Sequence, residues 1–135
     1  MNKFKRNPEK LKTLIKSLYS LPQRAETDKW KVLYDKELDN LYYVPPKLPH
    51  NTWLFDLNNE IALYVTPKND VVGIFIEYFS SNFTEHQKEY KKALKLFKKG
   101  KGILEVDKRR KTDAKMFEGA LITEVLKNSS NTMNA

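Results

Sequence analysis

Residues 88–111 hold eleven cationic side chains against three acids. The cations are Lys88, Lys91, Lys92, Lys95, Lys98, Lys99, Lys101, Lys108, Arg109, Arg110 and Lys111. A run of this kind attracts polyanions, because each phosphate it neutralises releases condensed counterions. Lysine outnumbers arginine, so the expected chemistry is contact with a nucleic-acid backbone rather than bidentate reading of base edges. The competing reading is a solvated helix face, which Lys commonly fills. Cations four apart on a helix repel mildly, however, so helix stability alone gives no reason for the run.

A second cluster has the opposite sign. Asp35, Glu37 and Asp39 fall within VLYDKELDNLYYV, residues 32–44. Three carboxylates so close raise the question of metal or acid–base chemistry. A calcium loop needs more oxygen ligands and a glycine at its sharp bend, and this stretch has neither. Aspartate is also a common turn residue, because its side chain accepts from nearby backbone N–H groups. The acidic hairpin therefore reads as architecture. His50 and His86 are the two histidines. No Ser elbow accompanies them and the chain has no cysteine, so no nucleophile is visible. Pairing of a histidine with Glu77 or Asp56 would require convergence in space. Gly100 and Gly102 are too few for a phosphate-cradling loop. No metal or cofactor is implied, and the chain reads as a binding protein rather than an enzyme.

The 135 residues, 40% hydrophobic and 31% charged, suit one folded domain. Charge is distributed in blocks. Residues 1–31 carry nine Lys or Arg against three acids, residues 32–87 three against eight, and then comes the basic run. Two basic segments thus flank an acidic middle. No apolar stretch reaches the roughly 20 residues of a membrane span. The basic start resembles a signal peptide, but Lys12 and Lys16 interrupt its apolar part, so a cytoplasmic protein is expected.

Asn7, Pro8 and Glu9 form a helix start, and Leu11, Leu14, Ile15 and Leu18 follow at helical spacing, predicting a helix over 8–20 that Pro22 ends. LPQRAETDK then reads as a polar linker. WKVLYD and DNLYYV predict a hairpin turning at Lys36 and Glu37. The prolines of residues 45–51 require a loop, and TWLFDL suggests a further strand. A second hairpin spans Glu60 to Phe79, with Val72, Ile74, Ile76 and Tyr78 on one face and a PKND turn in which Asn69 takes the left-handed conformation. Thr84 and Gln87 predict a capping box opening a helix with Tyr90, Ala93, Leu94 and Phe97 inward and Gly100 at its end. GILEV suggests a short edge strand. Asp113 is then expected to cap a last helix, 113–127, ahead of a disordered tail, 128–135. The fold class is α+β: a single domain over 1–127, with an antiparallel β-meander of four to five strands in residues 30–79, an N-terminal helix and one or two C-terminal helices.

The hairpins resemble a small family of prokaryotic domains of unknown function. Its members show a YDxxxDxLY hairpin and a VGIEI strand. Tyr34-Asp35-Lys36-Glu37-Leu38-Asp39-Asn40-Leu41-Tyr42 matches the first, and Val72-Gly73-Ile74-Phe75-Ile76 follows the second with Phe75 in place of glutamate. The resemblance covers residues 30–79. It implies a β-meander with attached helices and little about activity, although some members resemble antitoxin partners of small ribonuclease-type toxins.

Two functional expectations follow. The first is a non-enzymatic protein that contacts a nucleic-acid backbone, with helix 8–20 assisting residues 88–111. Among Trp30, Tyr42, Tyr43, Trp53, Phe55 and Phe75, some rings could then stack on single-stranded bases. Alternation sends Tyr42 and Tyr43 to opposite faces, so at least one belongs to the core. The second is a protein–protein module, antitoxin-like or an accessory subunit, pairing with a partner or a second copy. A nucleic-acid binder calls for a contiguous positive face, a module for an exposed apolar patch or open strand edge, and a hydrolase for a pocket holding His50 or His86 beside a carboxylate.

Overall fold

A computed structural model describes residues 8–134 of the chain. Asn7 and the side chain of Leu11, both invoked for the first helix, lie outside the described residues. The class is α+β, with helices packed on one face of a six-stranded antiparallel sheet.

Helix α1, Pro8–Tyr19, buries Leu14 and Leu18 and half-buries Ile15, as the apolar spacing requires. Pro22 does not lead into a linker. It sits in the first turn of a second helix, α2, Leu21–Thr27, where a missing N–H costs no hydrogen bond. Arg24 on α2 fastens this corner to the sheet. Its guanidinium donates to Ser20 Oγ at 2.9 Å, to the carbonyls of Val71 at 2.6 Å and Ser17 at 2.7 Å, and to Ser17 Oγ at 2.9 Å. Ser17 Oγ in turn accepts from the N–H of Val71 at 3.0 Å.

The strands are β1 Lys31–Asp35, β2 Asn40–Val44, β3 Trp53–Asp56, β4 Ile61–Val65, β5 Val71–Ile76 and β6 Ile103–Glu105, in the order β3-β4-β5-β2-β1-β6. The meander is β3-β4-β5; the first hairpin joins it through β2 beside β5, and β6 extends it to six strands. Alternation buries Val32, Tyr34, Leu41, Tyr43, Leu63, Ile74 and Ile76 against the helices. Asn69 adopts φ 66° in its turn, as expected. The stripe proposed for β5 needs correction. A register shift at Tyr64 and Val65 places Val71 rather than Val72 in the core, and Tyr78, at φ 51° and 54% exposed, lies beyond the strand. At Gly73 a Cβ would come within 2.9 Å of both Tyr64 Cδ2 and Val44 Cγ1, so only glycine admits this close crossing.

Residues 79–96 depart furthest from expectation. A π-helical turn, Phe79–Phe83, leads into a short α3, Thr84–His86, and a 3-10 helix, Lys88–Leu96. Thr84 is not a cap: it lies inside a helical stretch already under way, and its hydroxyl donates to the Ser80 carbonyl at 3.1 Å. Three residues per turn put Tyr90, Ala93 and Leu96 on one buried row and leave Leu94 exposed. Phe97 is buried after the helix, in extended backbone bridged to Val106. Phe79, Phe83, Tyr90 and Phe117 form a continuous run of ring contacts with centroids 5.3–6.1 Å apart, each worth about 0.5–1.5 kcal/mol beyond area burial.

A 3-10 turn, Lys108–Arg110, opens directly into α4, Lys111–Asn134. Asp107, not Asp113, is the capping side chain, accepting from the N–H of Arg109 at 3.0 Å. The helix also continues through the segment expected to be a disordered tail, 128–135, as far as Asn134. Ser129 is buried, and its hydroxyl donates to the Val125 carbonyl at 2.8 Å. Ala114, Phe117, Leu121, Ile122 and Val125 are the core residues of α4.

Candidate polyanion-binding surface

The acidic hairpin resolves into two separate structural roles. Asp35 Oδ1 accepts from the N–H groups of Glu37 at 3.2 Å and Leu38 at 3.1 Å, forming the turn itself. Asp39, in the left-handed region at φ 58°, ties that turn to the π-helical turn. Its Oδ1 accepts from Tyr34 Oη at 2.6 Å and from Ser80 N–H and Oγ, both at 2.8 Å; its Oδ2 accepts from Ser81 N–H at 2.9 Å and Oγ at 2.7 Å. Burial pushes the Asp39 carboxyl up, but these bonds to the charged form outweigh it and hold the group down at about 2. Glu37 is exposed. No group of His, Asp and Glu able to hold a metal occurs among the described residues.

Both histidines are exposed. His86 Nδ1 lies 3.3 Å from Glu60 Oε2, but its side chain is 62% exposed, and His50 stands exposed in its loop.

All eleven cations of the basic run are exposed, yet they do not form the single helical face that the 3.6-residue period implied. On the 3-10 helix, Lys92 and Lys95 share one row and Lys88 and Lys91 another, while Lys98 and Lys99 lie past its end. Four of the cations have carboxylate partners: Lys91 with Glu85 at 3.4 Å, Lys98 with Glu105 at 3.6 Å, Arg109 with Asp107 at 2.8 Å and Arg110 with Asp113 at 3.9 Å. Exposed pairs of this kind are weakened by solvent and salt and contribute little to stability. Among the described residues the other seven have no ion-pair partner.

Three clefts gather most of these cations. Lys92, Lys95 and Arg110 rim a cleft of about 610 Å³ between the 3-10 helix and α4, floored by Tyr90, Leu96 and Phe117 with Met116 72% exposed at its lip. Lys98 and Lys99 border a second of about 500 Å³ with Lys36 and Phe97. The third, about 400 Å³, runs between the β1–β6 edge and the start of α4 and holds five lysines: Lys31, Lys98, Lys108, Lys111 and Lys115. Its two carboxylates are both engaged. Glu105 pairs with Lys98, and Glu118 accepts from Tyr43 Oη at 3.2 Å. Burial raises the Glu118 carboxyl, opposed by that hydrogen bond and by Lys115, and raises the Tyr43 phenol, reinforced by Glu118. Lys88, Lys91, Lys101 and Arg109 line none of the three clefts.

Lys31 and Lys115 were absent from the sequence-derived set. Lys115 stands four residues after Lys111, a spacing that becomes a shared face once α4 starts at Lys111 rather than at Asp113. Lys31 joins only through the pairing of β1 with β6, which no local pattern announces. Of the aromatic candidates, Trp30, Tyr43 and Phe55 are core, whereas Tyr42 and Phe75 are half-exposed and Trp53 is 40% exposed. No family model, curated protein or solved structure matches the chain.

Proposed function

We propose that this protein is a non-enzymatic binder that contacts a nucleic-acid backbone through its lysine-rich surface. The observation that carries this reading is the groove between β1, β6 and α4. Five lysines converge there on two carboxylates, one already bonded to a lysine and the other to a tyrosine. Exposed ammonium groups in excess of the carboxylates beside them are compensated by bound phosphates, and the displaced counterions supply the free energy. Lysines act as point charges, so the contact is tolerant of sequence.

The test is fluorescence anisotropy with labelled oligonucleotides over a salt series, comparing the wild type with a Lys108→Gln, Lys111→Gln, Lys115→Gln variant. The expected result is a linear fall of log affinity with log salt, whose slope shrinks by about 2–3 in the variant, near 0.7–0.9 for each phosphate that is no longer neutralised. An unchanged slope refutes the groove as the binding surface. A second reading, a protein–protein module, draws on the cleft floored by Tyr90, Leu96 and Phe117. An apolar floor with exposed Met116 at its lip suits an apolar side chain of a partner.

A further inference from the structure

We propose that the polyanion is single-stranded and that its bases seat on an aromatic row crossing the face of the sheet opposite the described helices. This deepens the preceding reading and rests on it. Leu33, Tyr42 and Phe75 are register partners on β1, β2 and β5, with their strand neighbours pointing into the core. All three are half-buried and lie outside the core cluster, on the face opposite the helices. The Tyr42 and Phe75 rings are 5.3 Å apart between centroids, and Tyr64 on β4 continues the row at 6.4 Å from Phe75. Gly73 has no side chain to hold the Tyr64 ring off β5.

The row meets the lysine groove. Leu33 and Lys31 line the groove and also occupy this outer face, so the ring of Tyr42 stands one strand away from the convergent ammonium groups. The outward acids lie at ends or edges: Asp35 beside its turn, Glu105 on the β6 edge paired with Lys98, and Asp56 on the β3 edge. Cations at one end and an uncharged run of rings beyond them match a strand whose phosphates and bases are both accessible. A duplex offers the phosphates but keeps its base faces stacked inside.

The experiment measures binding of an oligothymidylate of about 12 nucleotides and of a duplex of equal length to the full chain and to Tyr42→Leu and Phe75→Leu variants. Leucine keeps apolar packing and removes the ring. The expected result is tighter binding of the single strand than of the duplex, and a loss of roughly tenfold per ring on the single strand alone, with the salt slope unchanged. Photocrosslinking of a bromouracil-substituted strand to the wild type, mapped by mass spectrometry, is expected to mark Tyr42, Tyr64 or Phe75 and needs no variant to fold. Ring variants that bind like the wild type, or crosslinks elsewhere, overturn the inference while leaving the backbone contact standing. Absence of binding to either form at low salt overturns both. A dimer in sedimentation that either ring substitution splits assigns the face to a second copy and overturns the inference.

Discussion

Asp39→Asn tests the bond that joins the acidic hairpin to the π-helical turn. Asparagine tolerates the positive φ of this position, so the substitution leaves the backbone unstrained and changes only the acceptor. It keeps one oxygen and turns the other into a donor facing the N–H and hydroxyl of Ser81 or Ser80. The fall of the Asp39 carboxyl from 3.8 to about 2 corresponds to at most about 2.4 kcal/mol, and solvent screening of this half-exposed group reduces that to about 1–2 kcal/mol. The pKa is lower in the folded state, so the contribution is complete above the unfolded value and is lost as pH falls through about 2. About half of it is gone by pH 3, between the two values. Urea unfolding followed by tryptophan fluorescence therefore has a defined outcome. At pH 7 the variant unfolds at a midpoint lower by roughly 1 M, and at pH 3 the gap to the wild type narrows to about half. A variant as stable as the wild type at pH 7, or a gap of equal size at both pH values, would refute the reasoning.

Arg24→Lys cannot reproduce a fork that reaches Ser17, Ser20 and the Val71 carbonyl together, and is expected to cost about 1–3 kcal/mol in chemical denaturation, although charge is conserved. Gly73→Val drives side-chain atoms into Tyr64 and Val44 and should lower stability by about 1–3 kcal/mol, read as a drop in thermal midpoint. The three-residue period of the helix over 88–96 predicts unequal costs for two neighbouring leucines. Leu96→Ala should lose about 2–4 kcal/mol and Leu94→Ala under about 0.5 kcal/mol; the reverse order in denaturation would restore the α-helical stripe.

Elements with a clean period were legible in the sequence. Helix α1 follows from Leu14, Ile15 and Leu18, and the two hairpins from their alternation and turn residues. Other segments were ambiguous for identifiable reasons. Pro22 stops one helix and starts the next equally well, and the second role won because Leu21 and Ala25 had a core to enter. Tyr90 and Ala93 fit both a 3.6 and a 3.0 period, and packing of Leu96 decided between them. Asp39 was recognisable as a turn residue, but its partners Ser80 and Ser81 are about forty residues away in sequence. The basic run was legible as charge. Its division among three clefts was not, because that depends on where β6 lies against β1.

That β1–β6 pairing also sets an order of events. Tyr34 sits opposite Leu104, so the ladder closes across about half of the chain, while each hairpin closes over a few residues. Loop-closure entropy makes such a distant pairing late, and a strand of three residues gives it little to hold on to in return. Lys31 belongs to the first hairpin, whereas the other groove lysines flank β6 or open α4, some seventy residues later in sequence. The five-lysine groove therefore exists only once β6 and the start of α4 are in place, and a copy that stops before residue 103 lacks Lys108, Lys111 and Lys115 as well as the pairing.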